Sequence, residues 1–114
     1  MNQEINNLVK AVLTFRDERD WKQFHSPKNL AVSISIEAAE LLELFQWLKE
    51  DQSISEDKID CLRDEIADVF IYLLLLSHTY GIDVIEATQK KILKNHQKYP
   101  IEKARGNARK YTEF

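Results

Sequence analysis

The sequence predicts an all-α fold: a four-helix subunit of a helical bundle, followed by an irregular C-terminal tail. Three observations carry this expectation. Only two glycines and two prolines occur in 114 residues, too few for the turns of a sheet-rich fold. Apolar residues recur at the three-and-four spacing of amphipathic helices. Acidic residues come in pairs three apart, Glu37–Glu40 and Glu65–Asp68, each inside a strongly apolar stretch.

The first helix is expected from about Gln3 to Asp17, where Ile5, Leu8, Val9, Val12 and Phe15 share a stripe. A loop from about Asp20 to Asn29 holds Trp21, Phe24, His25 and Pro27. The second helix covers about Leu30 to Lys49, with Leu30, Ile34, Leu41, Phe45 and Leu48 on one face. Asp51 to Glu56 is polar and reads as a connection. The third helix runs from about Asp57 to Tyr80 on Ile59, Leu62, Ile66, Val69, Phe70 and Leu73. Gly81 ends it, and Asp83 caps a fourth helix reaching about Gln97. Pro100 stops that helix, and Ile101 to Phe114 reads as irregular. With no internal repeat, low-complexity segment or linker, residues 1–114 are expected to form a single domain.

Composition narrows the function classes. Apolar residues make up 44% and charged residues 31%, as in soluble globular chains. A net charge of −3 gives no drive toward a nucleic acid polymer or an anionic membrane. The longest apolar run, Val69 to Leu76, is too short to span a bilayer. Cys61 is the only cysteine and forms no internal disulfide. The first residues, Met1-Asn2-Gln3-Glu4, lack the features of a signal peptide, so a cytoplasmic protein is expected.

The acid pairs point to metal chemistry. On a helical wheel Glu37 falls inside the stripe of Leu30, Ile34 and Leu41, with Glu40 at its edge. Glu65 borders the stripe beside Val69 and Leu76, and Asp68 lies further round. Residues three apart share a face, so each pair can aim both carboxylates at one point. Acids on a core-facing surface need a counterion, and neither pair contains a basic residue. A hard divalent cation fits best, and such clusters serve phosphate chemistry.

Other residues extend this reading. Tyr72 follows Asp68 by four positions, Trp47 follows Glu40 by seven, and Trp21 precedes the second helix. Flat side chains beside a metal cage suit a nucleobase next to a phosphate chain. Lys91, Asn95 and Lys98 share one face of the fourth helix and suit phosphate oxygens. The third helix is apolar almost all round from Val69 to Leu76, which favours burial against a second copy of the chain.

At these residues the chain resembles the all-α nucleoside triphosphate pyrophosphohydrolases of the MazG-like superfamily, and within it the dCTP pyrophosphatase branch. The resemblance includes Glu18 to Leu30, Glu43-Leu44-Phe45-Gln46-Trp47, Asp64 to Leu73, Asn95 to Pro100 and Ala104 to Glu113. It implies an enzyme that cuts a deoxynucleoside triphosphate, dCTP or a related one, into monophosphate and pyrophosphate as nucleotide-pool house-cleaning. It implies Mg²⁺ as cofactor, with Mn²⁺ able to substitute, and Glu37, Glu40, Glu65 and Asp68 as metal ligands and catalytic acids. Trp21, Trp47 and Tyr72 match positions enclosing base and sugar, and Lys91 and Asn95 match a phosphate-binding element. A homodimer or a homotetrameric dimer of dimers, with sites near subunit contacts, is expected. Val12 departs from the base-contacting histidine of the animal enzymes, which loosens the expectation of strict cytosine selectivity. Lys98 replaces a common arginine and keeps its charge.

Three rivals stand beside this reading. A di-iron bundle expects Glu-x-x-His pairs, but His25, His78 and His96 follow Lys22, Leu75 and Leu93 at that spacing. A same-superfamily enzyme would act on dUTP or phosphoribosyl-ATP. A non-catalytic helical interaction module would carry its acids for solubility alone.

Overall fold

The protein is described here over residues 2–114 by a computed structural model. These residues fall into two compact units, residues 2–82 and 83–114. No strand occurs among the described residues.

The first unit contains α1 (Gln3–Glu18), α2 (Pro27–Glu43) and α3 (Ile59–Thr79). Asn2 caps α1, its side chain accepting from the Ile5 N–H at 3.1 Å. The helix stops through backbone chemistry hidden from its apolar pattern. Asp20 takes the left-handed conformation (φ 54°), its N–H reaches the Asp17 carbonyl, and the Trp21 N–H reaches the Arg16 carbonyl at 3.0 Å. These are the two hydrogen bonds of a Schellman motif, with aspartate in the place glycine usually takes. Trp21 then packs back on Phe15, one turn inside the helix end, with ring centroids 5.7 Å apart.

α2 begins three residues before the expected Leu30. Ser26 is its cap, accepting from the Asn29 N–H at 3.2 Å, and Pro27 occupies the first turn, where a missing N–H costs nothing. It also ends earlier than the expected Lys49. From Leu44 to Leu48 the chain keeps turning, but Leu44, Phe45 and Leu48 donate to the carbonyls three residues back. This is the tighter winding that often finishes a helix. A single tight turn, Glu56–Lys58, leads into α3. α3 ends in a second Schellman motif: Gly81 (φ 64°) donates to His78, and Ile82 donates to Ser77 at 2.9 Å.

α2 and α3 form the main packing pair, and α1 also packs on α3. The core is small: Leu30 is 1% exposed, Leu74 3% and Leu75 5%, and no other described residue is fully buried.

The second unit contains α4 (Val84–Lys98) and the one-turn α5 (Ile101–Ala104). Asp83 caps α4 as expected, accepting from the N–H groups of Ile85 and Glu86 at 3.0 and 3.1 Å. The tail is more regular than expected. After α5 the chain reverses at Gly106 (φ 78°) and closes in a tight turn, Tyr111–Glu113. Tyr99 anchors it, edge-on to both Tyr111 and Phe114 at 6.0 and 5.8 Å.

Candidate metal centre

Both acid pairs converge. Glu37, Glu65 and Asp68 each offer a carboxylate oxygen within 4.8 Å of the others. Glu40 stands outside that three-oxygen group but beside it, close enough to raise the pKa of both Glu37 and Glu65. Glu37 and Asp68 line one cavity, while Glu40 and Glu65 line another. Advancing along α2 therefore means retreating along α3, so the two helices run antiparallel. That direction, with three-residue spacing on each helix, brings the four acids together.

All four acids are half-buried. None takes part in an ion pair among the described residues, where the pairs are Arg16–Asp17, Arg63–Asp60 and Lys90–Glu86. Burial, reinforced by the neighbouring charges of Glu40, Asp68 and Glu65, pushes the Glu37 pKa up to about 7. Burial and then the Glu40 charge raise Glu65 as well. Glu37 Oε2 and Glu65 Oε2 are buried without a hydrogen-bond partner. An orphaned carboxylate oxygen beside like charges is costly unless a cation neutralises it.

The donor set fits a small divalent cation. At an ion–oxygen distance of about 2.1 Å, octahedral ligands lie about 3.0 Å apart when adjacent and about 4.2 Å apart when opposite. Three oxygens within 4.8 Å of one another need draw in by at most about 1.8 Å to become adjacent ligands, a shift that carboxylate side chains can make by rotation. All are hard carboxylate oxygens, with no thiolate or imidazole among them.

Apolar surface borders the acids. A cavity of about 670 Å³ runs from Leu8, Val12 and Phe15 on α1 to Tyr72 and Leu75 on α3, with Trp21 and His25 in its wall. Its size lies within the ~300–1,000 Å³ usual for small-molecule sites. Trp21 and Tyr72 line this cavity together with Glu37 and Asp68. Trp47 lines a second depression of about 640 Å³ with Glu40, Glu43, Cys61 and Glu65. It is 86% exposed, because the tight winding after Glu43 turns the chain faster than the α-helical wheel assumes. At 120° per residue instead of 100°, the drift over Leu44–Trp47 reaches roughly 80°.

Lys91 and Asn95 belong to the second unit, both on exposed positions of α4. Lys91 has its pKa lowered by the adjacent Lys98 charge.

Two cavity residues carry no role in the sequence reading. Arg16 continues the Leu8–Val12 row by another four residues, and a charged residue in an apolar row was the available signal. His25 sits edge-on to Tyr72 at 6.2 Å, with Nδ1 buried and unpartnered. Burial, then the Arg16 charge, depresses its pKa. Nothing in the spacing of a loop histidine announces that packing.

An all-α chain whose facing helices converge four carboxylates beside an apolar cavity belongs to the class of carboxylate-lined helical bundles, whose acids could hold a divalent metal. Comparison with known proteins makes this particular. The MazG-like family profile matches residues 32–114. dCTP pyrophosphatase 1 from Mus musculus is 40% identical over 104 residues, and that from Homo sapiens is 41% identical over 104 residues. Each alignment covers 88% of this chain and 61% of the relative, so the chain spans less than two thirds of their length. The crystal structure of a pyrophosphatase from Archaeoglobus fulgidus superposes with a TM-score of 0.82 at 46% identity, covering 88% of this chain and 95% of that one. The chain belongs to the MazG-like family.

Proposed function

We propose that this chain is a Mg²⁺-dependent nucleoside triphosphate pyrophosphohydrolase. It converts a deoxynucleoside triphosphate, dCTP or a related one, to the monophosphate and pyrophosphate, and so removes unwanted nucleotides from the pool. The observation that carries this reading is the set of unpartnered, half-buried carboxylates bordering an apolar cavity. Similarity to proteins named dCTP pyrophosphatase 1 supports the substrate class.

In this reading Glu37, Glu40, Glu65 and Asp68 hold Mg²⁺, for which Mn²⁺ can substitute. Bound there, the ion would neutralise phosphate charge and lower the pKa of an attacking water. Trp21 and Tyr72 present flat faces to base and sugar, Trp47 closes on the same nucleotide, and Lys91 and Asn95 hold phosphate oxygens. Water oxygen bonds to the α-phosphorus, the bond to the bridging oxygen breaks, and pyrophosphate leaves. A carboxylate of the cluster accepts the water's proton. The chain acts as one functional domain in the cytoplasm.

The functional unit is a homodimer or a dimer of dimers. Three fully buried side chains are a meagre core, and Ile66, Phe70 and Leu73 leave an apolar stripe of α3 exposed. A second copy would cover it. Sedimentation should give a mass of two or four chains, and Leu73→Glu should lower it; a wild-type monomer would overturn this point.

Magnesium-dependent pyrophosphate release from dCTP, 5-methyl-dCTP, dATP, dTTP, dUTP and their ribose counterparts tests the activity. Turnover of at least one deoxynucleotide, abolished by chelator, is expected. Neither turnover nor Mg²⁺-dependent nucleotide binding would leave a helical interaction module instead.

A further inference from the structure

The cavity beside the acids holds a positive charge to which the proposed chemistry gives no task. Along α1 its wall is Leu8, Ala11, Val12, Phe15 and Arg16, so among the described residues Arg16 is that helix's one polar contribution. The Arg16 side chain is only 13% exposed. Arg63, in a similar pair with Asp60, keeps 72% of its side chain exposed. Arg16 is thus held inward against the cost of desolvating a guanidinium. Asp17 accounts for one donor only, accepting from Arg16 Nε at 2.8 Å. Neither Nη1 nor Nη2 of Arg16 makes a hydrogen bond among the described residues. Those two nitrogens carry a parallel N–H pair, the fork that matches two adjacent acceptors.

The cavity wall also places this fork, and every residue concerned lies in the first unit. The Trp21 N–H donates to the Arg16 carbonyl at 3.0 Å, so the helix reversal seats the indole next to Arg16. Phe15 steadies that indole edge-on at 5.7 Å, and the Arg19 guanidinium covers the Phe15 face at 3.7 Å. The Arg16 charge depresses the His25 pKa, whereas the charges acting on Glu37 and Glu65 are all acidic. Arg16 therefore stands nearer His25 than the acid cluster. A nucleotide with its phosphates at the acids would extend its base toward Trp21 and Arg16. His25 Nδ1 is buried out of a ligand's reach, which leaves the arginine fork as the paired donor at that end.

We infer that Arg16 is a specificity-determining residue: its Nη pair reads two adjacent acceptors on the base, O2 and N3 of cytosine. Uracil and thymine carry an N–H at position 3, which turns a donor toward the fork. Adenine sets its amino group beside N1 and N7, so neither edge offers two acceptors together. Guanine offers O6 and N7, which makes dGTP the informative competitor. The inference deepens the pyrophosphohydrolase reading and rests on it for where the phosphates lie.

The test compares kcat/KM for dCTP, dUTP, dGTP and 3-deaza-dCTP, which lacks the N3 acceptor. The wild type should favour dCTP over dUTP, and Arg16→Met should lower that ratio about ten- to hundred-fold, as expected for one bidentate arginine. The penalty for 3-deaza-dCTP should vanish in the same variant. Arg16→Lys keeps the charge without the fork and should also lower the ratio; it carries the test if Arg16→Met fails to fold. An unchanged ratio in the folded variants, or an equal loss toward all bases, would overturn the inference and reduce Arg16 to a partner of Asp17. An Arg16-dependent preference for dGTP over dCTP would overturn the choice of cytosine. Fluorescence titration with dCMP and dUMP, without metal, separates base reading from activity. An Arg16-dependent preference for dCMP, with no turnover of any triphosphate, would sink the pyrophosphohydrolase reading and leave the base contact standing. Turnover with no preference for dCTP over dUTP would sink the base contact alone.

Discussion

Residues 2–82 hold carboxylates half-buried among apolar side chains, whereas residues 83–114 carry Lys91 and Asn95 on an exposed helix face. Glu37 and Glu65 are perturbed chiefly by burial, with like charges adding to it. Lys91 is perturbed chiefly by one neighbouring charge. The first arrangement works against folding unless its charge is neutralised. The second costs the fold little, because water solvates it. Under the proposed function, charge used in chemistry is thus held where it is least comfortable, and charge used in binding where it is cheapest.

Neutralising one acid should have the largest effect. Glu65→Gln keeps shape and removes charge, and should lower turnover by about 100- to 1,000-fold, the loss typical of removing one preorganised electrostatic group. The helical circular dichroism signal should persist, and the metal-free protein should melt no earlier than the wild type. Retained turnover in this variant would break the contrast at its root.

Next comes Lys91→Ala on the exposed side. Losing a charge-assisted hydrogen bond should raise KM for the nucleotide about ten-fold, with the melting temperature unchanged. A large drop in stability would mean that the second unit's charges are structural after all.

The pH dependence of stability sharpens the acid half. The Glu37 pKa, about 7 in the folded chain, lies above its ordinary value of 4.5. The folded state therefore binds that proton more tightly. Its stabilising contribution is complete below the unfolded pKa and disappears as pH rises through about 7. Metal-free protein should melt at a higher temperature at pH 5 than at pH 8, and Glu37→Gln should flatten that slope. Mg²⁺ should restore more stability at pH 8 than at pH 5, since it competes with the proton for the same oxygens. Thermal scans with and without chelator measure both.

The smallest effect concerns the turn that delivers Trp21. Asp20→Ala keeps a Cβ in the left-handed region but loses the carboxylate that accepts from Gln23, and should cost about 1 kcal/mol, while Asp20→Gly should be nearly neutral. Denaturant titration distinguishes them.

Much of this is legible in the sequence. The scarcity of glycine and proline, and the apolar stripes, identify the helices to within a few residues at most ends. The largest misses were the start of α2 and its final turn. The Ser26–Pro27 cap was readable, since serine followed by proline is a helix-start signature. The switch to tighter winding after Glu43 was not, because Leu44 to Trp47 keep an apolar pattern that suits either geometry. The Asp20 reversal was equally hidden, since an isolated aspartate gives no sign of its φ. Arg16 is signalled in the sequence as a charge within an apolar row, whereas His25 enters the cavity wall from a loop with no such sign.

The sequence by itself determined an all-α chain with acids at Glu37, Glu40, Glu65 and Asp68, because helical period and three-residue spacing are local properties of neighbouring residues. Only the tertiary structure decided that α2 and α3 run antiparallel, that Glu37, Glu65 and Asp68 meet within 4.8 Å, and that the tail returns Tyr111 to Lys98. Those outcomes depend on contacts between residues distant in the chain, and a periodic pattern fixes a face without fixing what the face will meet.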